Sequence, residues 1–150
     1  MVKFRMLGMH CEDMRFRLNV VKAEPQTKFE IKPEFNRQIK KIKEMPKRRV
    51  IELTVKMIGT ETDPKPFDLA IRLVANFELE EEIWLAEDER EFVAAATRAT
   101  FPYLRSAITN LTAAAMINPL ILPPIDGGAL FPDAKPADQP AEQEIGRAHV

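Results

Sequence analysis

The chain has 150 residues, the size of a single domain, and its 22 basic and 23 acidic side chains leave a net charge of −1. Near-neutrality excludes a nucleic-acid binder that works through counterion release. The single cysteine excludes an internal disulfide and fits a reducing cytoplasm, and five glycines without a G-x-G-x-x-G or G-x-x-x-x-G-K-[ST] pattern exclude the usual phosphate cradles.

In chain order, the opening Met-Val-Lys-Phe-Arg lacks the apolar stretch of a signal peptide. No apolar run reaches the roughly 18 residues of a membrane span. His10-Cys11 is the sole pair with nucleophile and base side by side, since Ser106 is the only serine and His149 the only other histidine. Neighbours on an extended strand point to opposite faces, so the pair is a poor dyad. His10, Cys11, Glu12 and Asp13 form one contiguous cluster without a second group of ligands, so no metal site is expected. Neither catalytic residues nor a cofactor is expected.

Met14, Phe16, Leu18 and Val20 alternate with polar residues and predict a first strand. A weaker second strand is predicted over Lys28 to Lys32, where Phe29 and Ile31 alternate before Pro33. The basic stretch from Lys22 to Arg49, with Lys40, Lys41, Lys43, Lys47 and Arg48, reads as a solvated crossover between the second and third strands. Phe35, Ile39 and Ile42 are apolar residues within it that could line a groove. Ile51 to Met57 and Phe67 to Leu79 carry the period of half-buried strands, joined through a hairpin connection from Gly59 to Pro66. Four strands with one apolar face each make an antiparallel sheet that must be covered on one side.

The cover begins at Glu87, Asp88 and Glu89, acids suited to the first turn of a helix. Trp84 stands just before them, either packed against the helix or available to a partner. The acidic run from Glu78 to Glu91 reads as a solvated face. Pro102 either kinks the helix or opens a new one capped by Thr100, after which Leu104, Ala107, Ile108, Leu111 and Ala115 recur on one stripe. That stripe fits either packing on the sheet or self-association. Asn118 to Pro124 is apolar but kept out of a helix by its prolines, and Pro132 to Gln143 reads as a disordered tail. Glu144-Ile145-Gly146-Arg147-Ala148-His149-Val150 match the translation of a sequencing adapter and are set aside from the fold.

Phe101-Pro102-Tyr103 with Arg105, Leu120-x-Leu122-x-Pro124 and Ala129-Leu130-Phe131 resemble the C-terminal half of SecB, the bacterial protein-export chaperone. The resemblance implies an α+β subunit spanning residues 1–131, with a four-stranded antiparallel sheet on a long, Pro-interrupted helix. Pro132, Pro136 and Pro140 leave the family's second helix reduced or absent. It further implies a dimer of dimers that holds unfolded preproteins in apolar grooves without ATP and passes them to SecA, with neither nucleic acid nor membrane insertion involved. SecB-like relatives that protect an antitoxin, and a non-catalytic adaptor for one folded partner, are the alternatives.

On this basis client contacts are expected from Phe35, Ile39, Ile42, Trp84, Leu120, Ile121, Leu122, Ile125, Leu130 and Phe131. Asp13 and Asp68 keep the acidic character of the SecA-facing surface, whereas Arg17 and Ala70 depart from it. Tyr103, Leu104, Arg105, Ile108, Leu111 and Ala115 are expected at the oligomer interface.

Overall fold

The computed structural model describes residues 1–19, 32–116 and 131. Four strands, β1 (Phe4–Leu18), β2 (Glu34–Ile42), β3 (Met45–Met57) and β4 (Phe67–Leu79), precede one helix, α1 (Ala86–Ala114). They form a single antiparallel sheet in the order β1-β4-β3-β2. β1 and β2 are therefore the edges of the described sheet. The expected α+β architecture is the one observed.

The two central strands follow their sequence period because only one face of each is covered by the helix. On that face Leu69, Ile71, Leu73 and Phe77 of β4 stand beside Met57, Val55, Leu53 and Arg49 of β3, and all are buried. The opposite face is laced with charge. Arg72 lies 3.5 Å from Glu12 and 3.9 Å from Glu52, and Lys40 pairs with the same Glu52.

β1 begins ten residues before the expected Met14. Two bulges, between Met6 and Gly8 and between Cys11 and Asp13, restart its alternation. Phe4 and Met6 face the helix side, then Met9 and Cys11, then Met14 and Phe16, so a period-2 reading catches only the last segment. Val20 and residues 28–31 lie outside the described residues, and Lys32 is in no strand.

The basic stretch is corrected more deeply. Residues 34–49 are not a solvated crossover but β2 and the start of β3, joined by the turn at Lys43-Glu44. Arg37, Lys41 and Arg49 occupy positions on the helix-facing side, each in register with an inward residue of the neighbouring strand. Those charges hid the strand pattern, leaving Phe35 and Ile39 as the apolar residues of β2 on that side before the register shift at Ile42.

One buried ion pair fixes the start of α1. Arg49, 4% exposed, donates from Nε and Nη2 to the two carboxylate oxygens of Glu89 at 3.1 and 3.0 Å. Glu89 lies in the first turn, where a negative charge also meets the helix dipole. Leu85 is the N-cap residue and supplies no side-chain hydrogen bond.

Pro102 does not split the helix. Thr100, expected as a cap, instead donates its hydroxyl to the Ala96 carbonyl at 2.7 Å, and Thr97 does the same to Val93 at 2.6 Å. Both are satisfied inside the helix one turn ahead of the proline, which lacks the N–H that would reach back to Arg98.

The β3–β4 connection needs a glycine at its first turn. A Cβ on Gly59 would lie 2.8 Å from the Lys65 backbone nitrogen. The Gly59 amide donates to Asp68 at 2.8 Å, and Asn19 Nδ2 donates to the same carboxylate oxygen at 2.8 Å, binding the ends of β1 and β4 together.

Candidate functional site

An aromatic slot lies where β2 meets the middle of α1. Phe35 stands on β2 opposite Val55, its side chain on the helix-facing side. Its ring meets that of Phe101 edge-on at 6.1 Å, and Phe101 is fully buried in the helix. Phe131 closes the third side, 5.7 Å from Phe35 and 6.2 Å from Phe101, with interplanar angles of 78° and 80°. These edge-to-face arrangements each contribute about 0.5–1.5 kcal/mol beyond area burial.

Arg37, two residues along β2, caps the slot. Its guanidinium carbon is 5.7 Å from the centre of the Phe131 ring, and its Nη1 donates to Thr97 Oγ1 at 3.0 Å. Ile39 continues the same side of β2, half-buried against the core. Because β2 is an edge strand, one side of its backbone has no strand partner within the described sheet. An added strand could pair there and present every second side chain to the slot.

Of the expected contact residues, Phe35, Ile39 and Phe131 come together here. Ile42 lies at the hairpin end of β2, seven residues from Phe35. Trp84 is 84% exposed and does not pack on the helix. It follows the Leu79 end of β4, whereas Phe35 shares a row with Val55 and Ile71, eight residues down β4, or about 26 Å. Leu120, Ile121, Leu122, Ile125 and Leu130 lie outside the described residues. Phe101 and Arg37 were missed as slot residues. Phe101 was visible as part of the Phe-Pro motif, but its juxtaposition with Phe35 depends on β2 reaching the far edge of the sheet.

The helix stripe divides. Leu104 and Ile108 are fully buried in the protomer's own core, so they hold α1 to the sheet and present no surface to a second copy. Arg105, Leu111 and Ala115 are half-buried, and Tyr103 is 55% exposed.

On the outer face both expected acidic contacts are engaged within the protomer. Arg15 Nε donates to Asp13 at 3.1 Å. Asn19 and the Gly59 amide hold the Asp68 carboxyl below its ordinary value, helped by the charge of Arg17, which faces it across the strands. Lys56 and Arg15 flank Ala70 in the next row.

His10 and Cys11 point to opposite faces, in register with Val74 and Leu73. Burial pushes the Cys11 thiol up from its ordinary value, the reverse of what a thiolate nucleophile needs. Among the described residues no group of His, Cys, Asp and Glu could hold a metal, and no helix is long and apolar enough to cross a membrane.

Among the described residues, one long helix accompanies a four-stranded antiparallel sheet, the fold of a SecB-like subunit. The chain belongs to the SecB family: the family described as preprotein translocase subunit SecB matches residues 1–138. Among solved structures, the Mycobacterium tuberculosis SecB-like chaperone Rv1957, in complex with a ChAD peptide from the HigA1 antitoxin, is similar with a TM-score of 0.65 at 15% identity. The match covers 80% of this chain and 88% of that one. A Streptococcus agalactiae protein of unknown function aligns with a TM-score of 0.47 at 13% identity, over 82% of this chain and 98% of that one. No curated protein matches by sequence.

Proposed function

We propose that the protein is an ATP-independent holdase that binds non-native client segments along β2, with its most specific contact in the Phe35–Phe101 slot. The observation that carries this reading is the junction of an aromatic slot with a strand edge that has no partner among the described residues. Backbone pairing to β2 gives sequence-tolerant affinity, while the slot selects an apolar side chain. Apolar surface confined to a groove also avoids the self-aggregation that an open patch invites. Each Å² of apolar client surface buried contributes about 25 cal/mol, less the cost of ordering the client.

The protein works in the cytoplasm as a dimer of dimers. Tyr103 is exposed on α1 and, with Arg105, Leu111 and Ala115, is the part of the helix stripe still available to a second copy. In the export reading the clients are preproteins, and SecA docks on the outer face at Asp13 and Asp68. A second reading, that the client is one antitoxin, is favoured by that same face. Both carboxylates are engaged internally, and Arg15 and Arg17 lie in their rows.

The test is light scattering from an aggregation-prone protein diluted out of denaturant, without ATP. Suppression near one oligomer per client supports the holdase. A folded, oligomeric sample that does not suppress scattering refutes general holding and moves the function to one dedicated partner. SecA binding that is lost in Asp13→Ala and Asp68→Ala would select export over the antitoxin.

A further inference from the structure

We propose that Phe131 is an intramolecular stand-in for a client side chain: it fills the slot when the protein is empty, and an aromatic residue of the client displaces it. The inference rests on the client groove proposed above. Three observations lead to it.

First, Phe131 is only 3% exposed at the margin of the core, yet it belongs to neither a strand nor the helix, and its ring contacts are with Phe35, Phe101 and the Arg37 guanidinium. Second, the box does not depend on it. Phe35 is fixed by β-pairing to Val55, Phe101 is buried in the helix, and those two rings touch each other directly at 6.1 Å. Third, the slot adjoins the edge of β2 that has no strand partner among the described residues, so a strand added there would bring a side chain beside Phe35 on the helix-facing side. Two aromatic groups cannot share a space walled by Phe35, Phe101 and the Arg37 guanidinium, so client and Phe131 compete.

Competition has a sign that a wall residue would not give. When a site is mostly self-occupied, apparent affinity falls by the fraction of molecules in which it is open. Removing the occupant restores that factor. For a slot open in about one to ten per cent of molecules the gain is about ten- to a hundredfold. Had Phe131 been a client contact, as the sequence suggests, its truncation would lower affinity.

The experiment uses the full chain and a short fluorescein-labelled peptide that alternates Thr and Val around one central Phe, followed by fluorescence anisotropy. A control peptide carries Ala in place of the Phe. Phe131→Ala is expected to bind the Phe peptide at least about tenfold more tightly than the unsubstituted protein, with the Ala peptide little changed. Unchanged or weaker binding of the Phe peptide overturns the proposal. If Phe35→Ala, with its circular dichroism intact, loses the peptide while Phe131→Ala gains nothing, the groove stands and only the stand-in falls. If Phe35→Ala binds as well as the unsubstituted protein, the groove reading falls too.

A second measurement does not depend on Phe131→Ala folding. Phe131→Trp combined with Trp84→Phe leaves one indole, held in the slot. Its emission should be blue-shifted in the free protein and move to the red on adding the Phe peptide but not the Ala peptide. An emission unmoved by the Phe peptide overturns the proposal.

Discussion

Glu89→Ala should cost about 3–5 kcal/mol, because it leaves a buried guanidinium without its counter-charge. Arg49 is held on one side by Glu89 and on the other by the Pro46 and Arg48 carbonyls, at 3.0 and 2.9 Å. Removing the carboxylate keeps those carbonyl contacts but leaves two cations facing each other, since Lys41 Nζ also lies 3.7 Å from Glu89. The converse change, Arg49→Met, should cost less, about 1–3 kcal/mol. The Glu89 carboxylate then keeps Lys41 and the positive end of the helix dipole, and the methionine fills part of the vacated volume. Replacing both residues by Met and Leu should recover most of the loss, because no buried charge is left over. Urea unfolding followed by far-UV circular dichroism measures all four corners of the cycle and yields the coupling energy. Loss of more stability from Arg49→Met than from Glu89→Ala would refute the reasoning, as would a cost below about 1 kcal/mol for Glu89→Ala. Function should follow. Phe101 lies twelve residues beyond Glu89 on the same helix, about 18 Å along its axis, so an unanchored helix start also loosens the slot wall.

Three further outcomes are expected. Asp68 has its folded-state pKa depressed below 3.8, so its stabilisation is fully present above that value and is lost as pH falls through the lower folded value. Asp68→Asn should remove that acid-side loss and cost no more than about 1 kcal/mol at neutral pH, because the amide oxygen can still accept from Asn19 and Gly59 and solvent screens the lost charge, read from unfolding curves across the acid range. Gly59→Ala pushes a methyl group to 2.8 Å from the Lys65 backbone nitrogen and should cost about 1–3 kcal/mol by thermal unfolding; a neutral result would mean the connection relaxes freely. Trp84→Ala should change stability by no more than about 0.5 kcal/mol and leave binding of the Phe peptide unaltered, whereas Phe35→Ala abolishes that binding; a parallel loss in Trp84→Ala would place the β4–α1 loop in the client path.

What the sequence disclosed and what it hid have physical causes. β3 and β4 were legible because central strands have both backbone edges paired and only one face to bury, so Ile51 to Met57 and Phe67 to Leu79 keep strict alternation. β1 was seen only from Met14 because bulges at Leu7 and Glu12 change the phase of the pattern twice. β2 was misread because Arg37 and Lys41 sit at inward positions, and nothing local announces that Arg37 finds Thr97 or that Arg49 finds Glu89 across tens of residues. The slot shows the same boundary. Phe131 was singled out through the Ala129-Leu130-Phe131 block that resembles SecB and Phe35 as an apolar residue of the basic stretch, but their meeting with Phe101 requires a topology that periodicity does not encode.

The strand order also sets a schedule for the protein's own synthesis. β2 and β3 are joined by a tight hairpin and β3 and β4 by a short loop, so each can pair almost as soon as it is made. β1 is made first and pairs last: Leu18 waits for Phe67, and Phe4 for Leu79. At about 5–20 residues per second the 49 residues from Asn19 to Phe67 take roughly 3–10 s. Throughout that interval the longest strand, carrying Phe4, Met6, Met9 and Phe16, is without β4, its partner among the described residues. A member of a chaperone family thus begins life with a strand awaiting its partner, and expression at low temperature or beside an upstream-binding chaperone should raise its yield more than stabilising its folded core.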